Sequence, residues 1–239
     1  MQRKDIKIQA SGGGEFDCYV VTPDANDTVP AMVLASAIHG VDEDLRAIAD
    51  EFAGHGYVVA APDLFWRSVP GPLARDDPRS PGRGQPRLEK IKAGEADMAD
   101  TLAMLKKSEP KFNGRAAAMG FCYGGPFAIL GPKRLGYAAG VSCHGTQLGD
   151  FIGDLEGMTQ PLCIIWGDKD HAAPPPVQEM YRKIPARMKN VEVHIFPGIE
   201  HGYMMPSRPE LYNAAAAENA WGRMQALFER CLPRRGAAS

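Results

Sequence analysis

The sequence predicts an α/β fold, with a mostly parallel central sheet and helices on both faces. Three features of the chain predict it. Short apolar runs of strand length alternate with segments of helical periodicity. Several runs, such as Ala31–Ile38, are apolar throughout rather than alternating, as strands buried on both faces are. Gly, Pro or polar residues punctuate the runs, as at Pro23, Pro30 and His39-Gly40.

In chain order, Phe16–Val21 reads as an edge strand and Ala31–Ile38 as a buried one. Asp42–Gly54 reads as a helix, with Leu45, Ile48, Ala49 and Phe52 on one face and Gly at its end. Tyr57–Ala61 is the next strand, and Asp97–Lys107 a helix with Met98, Leu102 and Leu105 inward. Arg115–Phe121 is a strand running into a helix over Gly124–Leu130. Ala138–Cys143, Leu162–Trp166 and Val191–Phe196 complete the predicted strands, and Pro174–Ile184 and Pro209–Phe228 the helices. Nothing resembling a linker divides the chain, so the expectation is one domain over residues 1–239 without a separate cap. The segment Pro70–Pro86, PGPLARDDPRSPGRGQP, is too rich in breakers for a central strand and reads as a surface loop able to carry Arg to a site.

Composition excludes several classes. The chain is 44% hydrophobic and 23% charged, which places it among globular proteins. Its 27 basic and 29 acidic residues leave a net charge of −2 and no basic block, so nucleic acid is not an expected partner. The uncharged stretch Ala116–Pro132 is broken by Gly and Pro, so no membrane span is expected. MQRKDIKIQA carries no apolar segment of a secretory leader. The five cysteines are scattered without CxxC spacing, which points to a reducing, cytoplasmic setting. No H-E-x-x-H or comparable spacing is present, so neither metal nor other cofactor is expected.

The chemistry concentrates at Gly120-Phe121-Cys122-Tyr123-Gly124, directly after a predicted strand. This is the nucleophile-elbow pattern G-x-S-x-G with Cys in place of Ser. The glycines leave room for the strand and the following helix to approach closely. The helix N-terminus beneath Cys122 favours thiolate, and the Tyr123 N–H points toward a developing oxyanion. Two further strands end at polar loops, Gly167-Asp168-Lys169-Asp170-His171 and Gly198-Ile199-Glu200-His201-Gly202. Nucleophile, acid and histidine thus follow in order, each past a strand end, where open α/β sheets bind ligands. Asp168 and Asp170 both compete for the acid position. His171 reads as a loop residue and His194 as a structural strand residue, while His39 and His144 follow strand ends and could line a pocket.

These motifs, with Ala37-Ile38-His39-Gly40-Val41, Gly56-Tyr57 and Ala61-Pro62-Asp63-Leu64, resemble the dienelactone hydrolase family of α/β-hydrolases, of the carboxymethylenebutenolidase type. The likeness runs from about Phe16 to Phe228. It implies an α/β-hydrolase fold and a Cys122–Asp170–His201 triad cleaving a small ester or lactone through a thioester. It also implies an oxyanion hole formed by the backbone N–H groups of Ile38 and Tyr123. Substrate contacts are expected among Arg83, Arg87, His39, His144 and Trp166, with an anionic substrate in view. Two departures stand out. Ala37 occupies the position where family members carry a Glu beside the resting thiol, and Met205 the position of a carboxylate-binding Arg, for which Arg208 is a candidate substitute. A general carboxylesterase or thioesterase, and a non-catalytic ligand-binding protein of the same fold, remain alternative readings. The oligomeric state is not legible.

Overall fold

The computed structural model describes residues 1–233. Eight strands form one sheet: β1 (Gln2–Gln9), β2 (Glu15–Thr22), β3 (Val29–Ala35), β4 (Val58–Pro62), β5 (Phe112–Phe121), β6 (Ala139–Cys143), β7 (Leu162–Gly167) and β8 (Val191–Phe196). Their order across the sheet is β1-β2-β4-β3-β5-β6-β7-β8. β1 and β2 run antiparallel to their neighbours, and every pairing from β4–β3 through β7–β8 is parallel.

β2 is not the edge strand that its sequence suggests, because β1 pairs along its whole length. β1 escapes a reading by pattern because Lys4, Asp5 and Lys7 leave only Ile8 buried. The strands at the centre are buried on both faces: every residue of β3, β4, β6 and β7 is buried.

Seven helices accompany the sheet among the described residues: α1 (Glu43–Gly54), α2 (Ser80–Arg83), α3 (Arg87–Ser108), α4 (Phe127–Arg134), α5 (Pro175–Arg182), α6 (Ile184–Arg187) and α7 (Ala214–Cys231). Asp42 caps α1 by accepting from the Leu45 N–H at 3.0 Å, and Asn213 caps α7 by accepting from Ala216 at 3.0 Å. α7 therefore starts at Ala214, after a turn, rather than at Pro209. α3 begins ten residues earlier than its apolar face suggests, because its first turns are largely polar and only Ile91 and Gly94 are buried there. The Pro-rich segment is a loop that winds into the short helix α2.

Strand alternation divides the core in two. Leu162, Ile164 and Trp166 of β7 face one apolar cluster with residues of α3 and α4. Cys163 and Ile165 face the other, with α1 and α7. No helix among the described residues is long and apolar enough to cross a membrane.

Candidate active site

β5 ends at Phe121, and the chain turns at Cys122 with φ 48°, a left-handed conformation that non-glycine residues seldom adopt. A single 3-10 turn, Cys122–Gly124, follows, and α4 starts only at Phe127. The expected helix start at Gly124 is thus displaced, and the Cys122 backbone belongs to the tight turn. Two glycines make this turn possible. A Cβ on Gly120 would lie 2.0 Å from the Gly124 carbonyl oxygen, and one on Gly124 would lie 2.3 Å from the Ala35 carbonyl oxygen. The strained residue is also held from outside. The Cys122 carbonyl accepts from the N–H of Gly125 at 3.1 Å, the N–H of Thr146 at 2.9 Å and the Thr146 hydroxyl at 3.2 Å. Nothing in the sequence around Thr146 signals this role.

The loops after β7 and β8 bring the acid and the imidazole together. His201 Nδ1 lies 2.9 Å from both carboxylate oxygens of Asp170, and Asp170 is 2% exposed. Cys122 is close enough to the imidazole to act on it electrostatically. Burial alone would lower the His201 pKa. The hydrogen bond to Asp170, together with the influence of Asp170 and Cys122 on the ring, outweighs it and raises the pKa to about 10. Asp168 faces elsewhere: its carboxylate accepts from the Gly198 N–H at 2.6 Å and so holds the loop that leads to His201. Of the two aspartates left open by the residue pattern, only Asp170 meets the imidazole. His171 is exposed, and its ring centroid lies 4.9 Å from that of His201. Asp170, His171 and His201 place their ligand-type atoms within 4.8 Å of one another, as do Cys163, Glu192 and His194 at the sheet edge.

The other expected contacts divide. Arg83 does not face a substrate. Its side chain is fully buried, and it donates to the carbonyls of Val69 (2.8 Å), Ile38 (2.9 Å) and Gly71, with Asp63 at 3.7 Å and the Phe65 ring beneath. A buried guanidinium needs acceptors for its donors, and here the loop carbonyls meet that need. Arg87 is half-buried beside the elbow. It donates to the carbonyls of Tyr123 (3.1 Å) and Thr146 (2.8 Å), and its guanidinium lies over the Tyr123 ring. Trp166 turns into the core instead, 1% exposed, with its ring 4.4 Å from Tyr181. Alternation along β7 puts it on that face.

His39 is half-buried, and burial with the charges of Arg75, Arg208 and Arg83 lowers its pKa to about 4. His144 is more than a pocket neighbour. It is 1% exposed at φ 39°, its ring 4.9 Å from His201 and 5.7 Å from Tyr203, edge to face. Neither ring nitrogen has a hydrogen-bond partner among the described residues, and burial holds its pKa well below the usual value. Met205 is buried in the cluster under α1 and α7. Arg208 bonds Glu210 at 3.2 Å.

The family model of the dienelactone hydrolase family matches residues 16–232. A carboxymethylenebutenolidase of Cupriavidus pinatubonensis is 26% identical over 215 residues, spanning 88% of this chain and 90% of its own. One of Pseudomonas putida is 25% identical over 221 residues, spanning 91% of this chain and 92% of its own. Among solved structures, a dienelactone hydrolase-like promiscuous phosphotriesterase from metagenomic libraries superposes with a TM-score of 0.80 at 19% identity, over 97% of this chain and 100% of its own. That likeness concerns the fold.

Proposed function

The chain belongs to the dienelactone hydrolase family, and from this premise we propose that it cleaves a small ester or lactone through a thioester on Cys122, with His201 as base and Asp170 as its partner. The observation that carries the reading is the strained Cys122 turn together with an imidazole that Cys122 influences and whose Nδ1 is 2.9 Å from a buried carboxylate. His201 receives the thiol proton, and Asp170 holds the ring in the tautomer that can do so and balances its charge. The sulfur attacks the carbonyl carbon. The backbone N–H groups of Ile38 and Tyr123 hold the resulting oxyanion, each contributing about 3–4 kcal/mol in sites of this kind. His201 then returns the proton to the leaving oxygen, which departs as an alcohol from an ester and stays tethered in a lactone. Water, deprotonated by His201, cleaves the thioester, and Cys122 regains its proton.

Arg83 and Arg87 support this site from behind. Arg83 bonds the Ile38 carbonyl and Arg87 the Tyr123 carbonyl, so each arginine braces the residue that supplies an oxyanion donor. With Arg83 committed to backbone and Met205 buried in the core, neutral small esters are favoured over a dienelactone carboxylate. A panel of small esters, thioesters and lactones, with and without a carboxylate, tests this preference. Cys122→Ala is expected to abolish turnover of every member, and iodoacetamide to label Cys122 ahead of the four other cysteines. Full hydrolysis by Cys122→Ala ends the proposal, and ligand binding without turnover by the native protein marks a binding protein instead.

A further inference from the structure

At the opposite flank of the sheet, β7 and β8 pair in parallel with Cys163 beside Glu192 and Ile165 beside His194. Glu192 and His194 are two residues apart on a strand, so both project to the face that Cys163 shares, toward α7. Such a face is normally apolar. Here it presents a thiol, a carboxylate and an imidazole whose ligand-type atoms all lie within 4.8 Å of one another. The Glu192 carboxylate is 3.3 Å from His194 Nε2. That is close to the separation of neighbouring ligands around a tetrahedral ion with metal–oxygen and metal–nitrogen bonds of about 2.0–2.2 Å. Cys163 is fully buried, whereas the side chains of His194 and Glu192 are 21% and 36% exposed, which gives an ion a path from solvent. Further sulfur lies on the same side of the sheet, where Cys143 Sγ is 3.7 Å from Met224 Sδ.

We propose that Cys163, Glu192 and His194 form a binding site for a thiophilic divalent cation, zinc in the first instance, that ties β8 to β7. Thiolate, imidazole and carboxylate together select zinc or its softer analogues over magnesium and calcium, which take oxygen ligands. On binding, the Cys163 thiol loses its proton to solvent and the sulfur becomes a ligand. Because the thiol is fully buried, only an ion with a strong affinity for sulfur displaces its proton. Glu192 exchanges its ion pair with Arg230 for the cation, and water completes the tetrahedron. The two strands so joined are those whose loops carry Asp170 and His201, so the ion would stiffen the scaffold of the site without touching it.

The test uses the full chain carrying Cys122→Ser, which removes the competing sulfur at the active site. After treatment with chelator and dialysis, it is titrated with cobalt(II). The expected result is one equivalent bound with thiolate-to-cobalt charge transfer in the near ultraviolet, displaced by zinc, and a higher melting temperature with zinc present. Adding Cys163→Ser should remove the charge-transfer band. Should that buried substitution prevent folding, Glu192→Gln with His194→Ala, on the partly exposed edge strand, should weaken cobalt binding at least tenfold. No charge-transfer band in Cys122→Ser, a band that survives Cys163→Ser, or unchanged affinity in the double edge-strand variant overturns the proposal.

Discussion

Cys122 is approached from two sides by charged residues that are handled in opposite ways. From β7 and β8 come Asp170 and His201, which pair side chain to side chain at 2.9 Å. From α2 and α3 come Arg83 and Arg87, whose donors end on backbone carbonyls of the loops that flank the elbow. In the proposed mechanism the first arrangement passes a proton between groups. The second fixes charge permanently, because a guanidinium does not titrate in this range. A site of this kind needs both: a mobile proton on one flank and an immobile frame on the other.

Substitutions can break this division, starting with its largest expected effects. His201→Ala and Asp170→Asn should each lower ester hydrolysis on the order of 10⁴-fold while leaving the fold intact, measured by kcat and circular dichroism. Comparable loss from an Arg87 substitution would erase the distinction. Arg83→Met should destabilise the protein by about 3 kcal/mol or more, since three carbonyls and Asp63 lose a buried partner. A thermal melt reads this directly, and unchanged stability would remove Arg83 from the frame.

The pH dependence of stability sharpens the contrast further. His39, at about 4, and His144, held well below its usual value, are disfavoured as cations in the folded state. The unfolded chain therefore binds more protons below about 6.5, and their contribution is lost as pH falls from there through the folded value. His201, raised to about 10, has the opposite sign: its contribution is complete below about 6.5 and is lost as pH rises through 10. Melting temperatures of the native protein and His39→Gln should therefore lie close together at neutral pH and separate toward pH 4, where the native protein loses stability that the uncharged variant keeps. The smallest expected effect is that of Arg87→Lys, about 1 kcal/mol of stability, because a point charge cannot serve the Tyr123 and Thr146 carbonyls as a planar fork does.

Residues near each other in sequence were the most legible. The apolar runs of β3, β4, β6 and β7, the inward face of α1 and the Gly120–Gly124 turn are all local patterns. β1 was hidden by the charges of an edge strand, and the first half of α3 by its polar surface. Arg83 and Trp166 were misplaced as substrate contacts for one shared reason. Residue type suggests what a side chain can bind but not which way it points, and here the buried carbonyls of Val69, Ile38 and Gly71 and the ring of Tyr181 received them. Thr146 and His144, which brace the elbow and the imidazole, carry no motif at all.

Periodicity and turn chemistry act over a few residues, so the chain alone determined every strand but β1, its principal helices and the sharp bend at Cys122. Which of Asp168 and Asp170 meets His201, what the two arginines hold, and the meeting of Cys163 with Glu192 and His194 depend on contacts between distant segments. Those contacts exist only once parallel strands are stacked in register, because the crossovers that separate such strands in sequence place no constraint on which side chains end up facing one another.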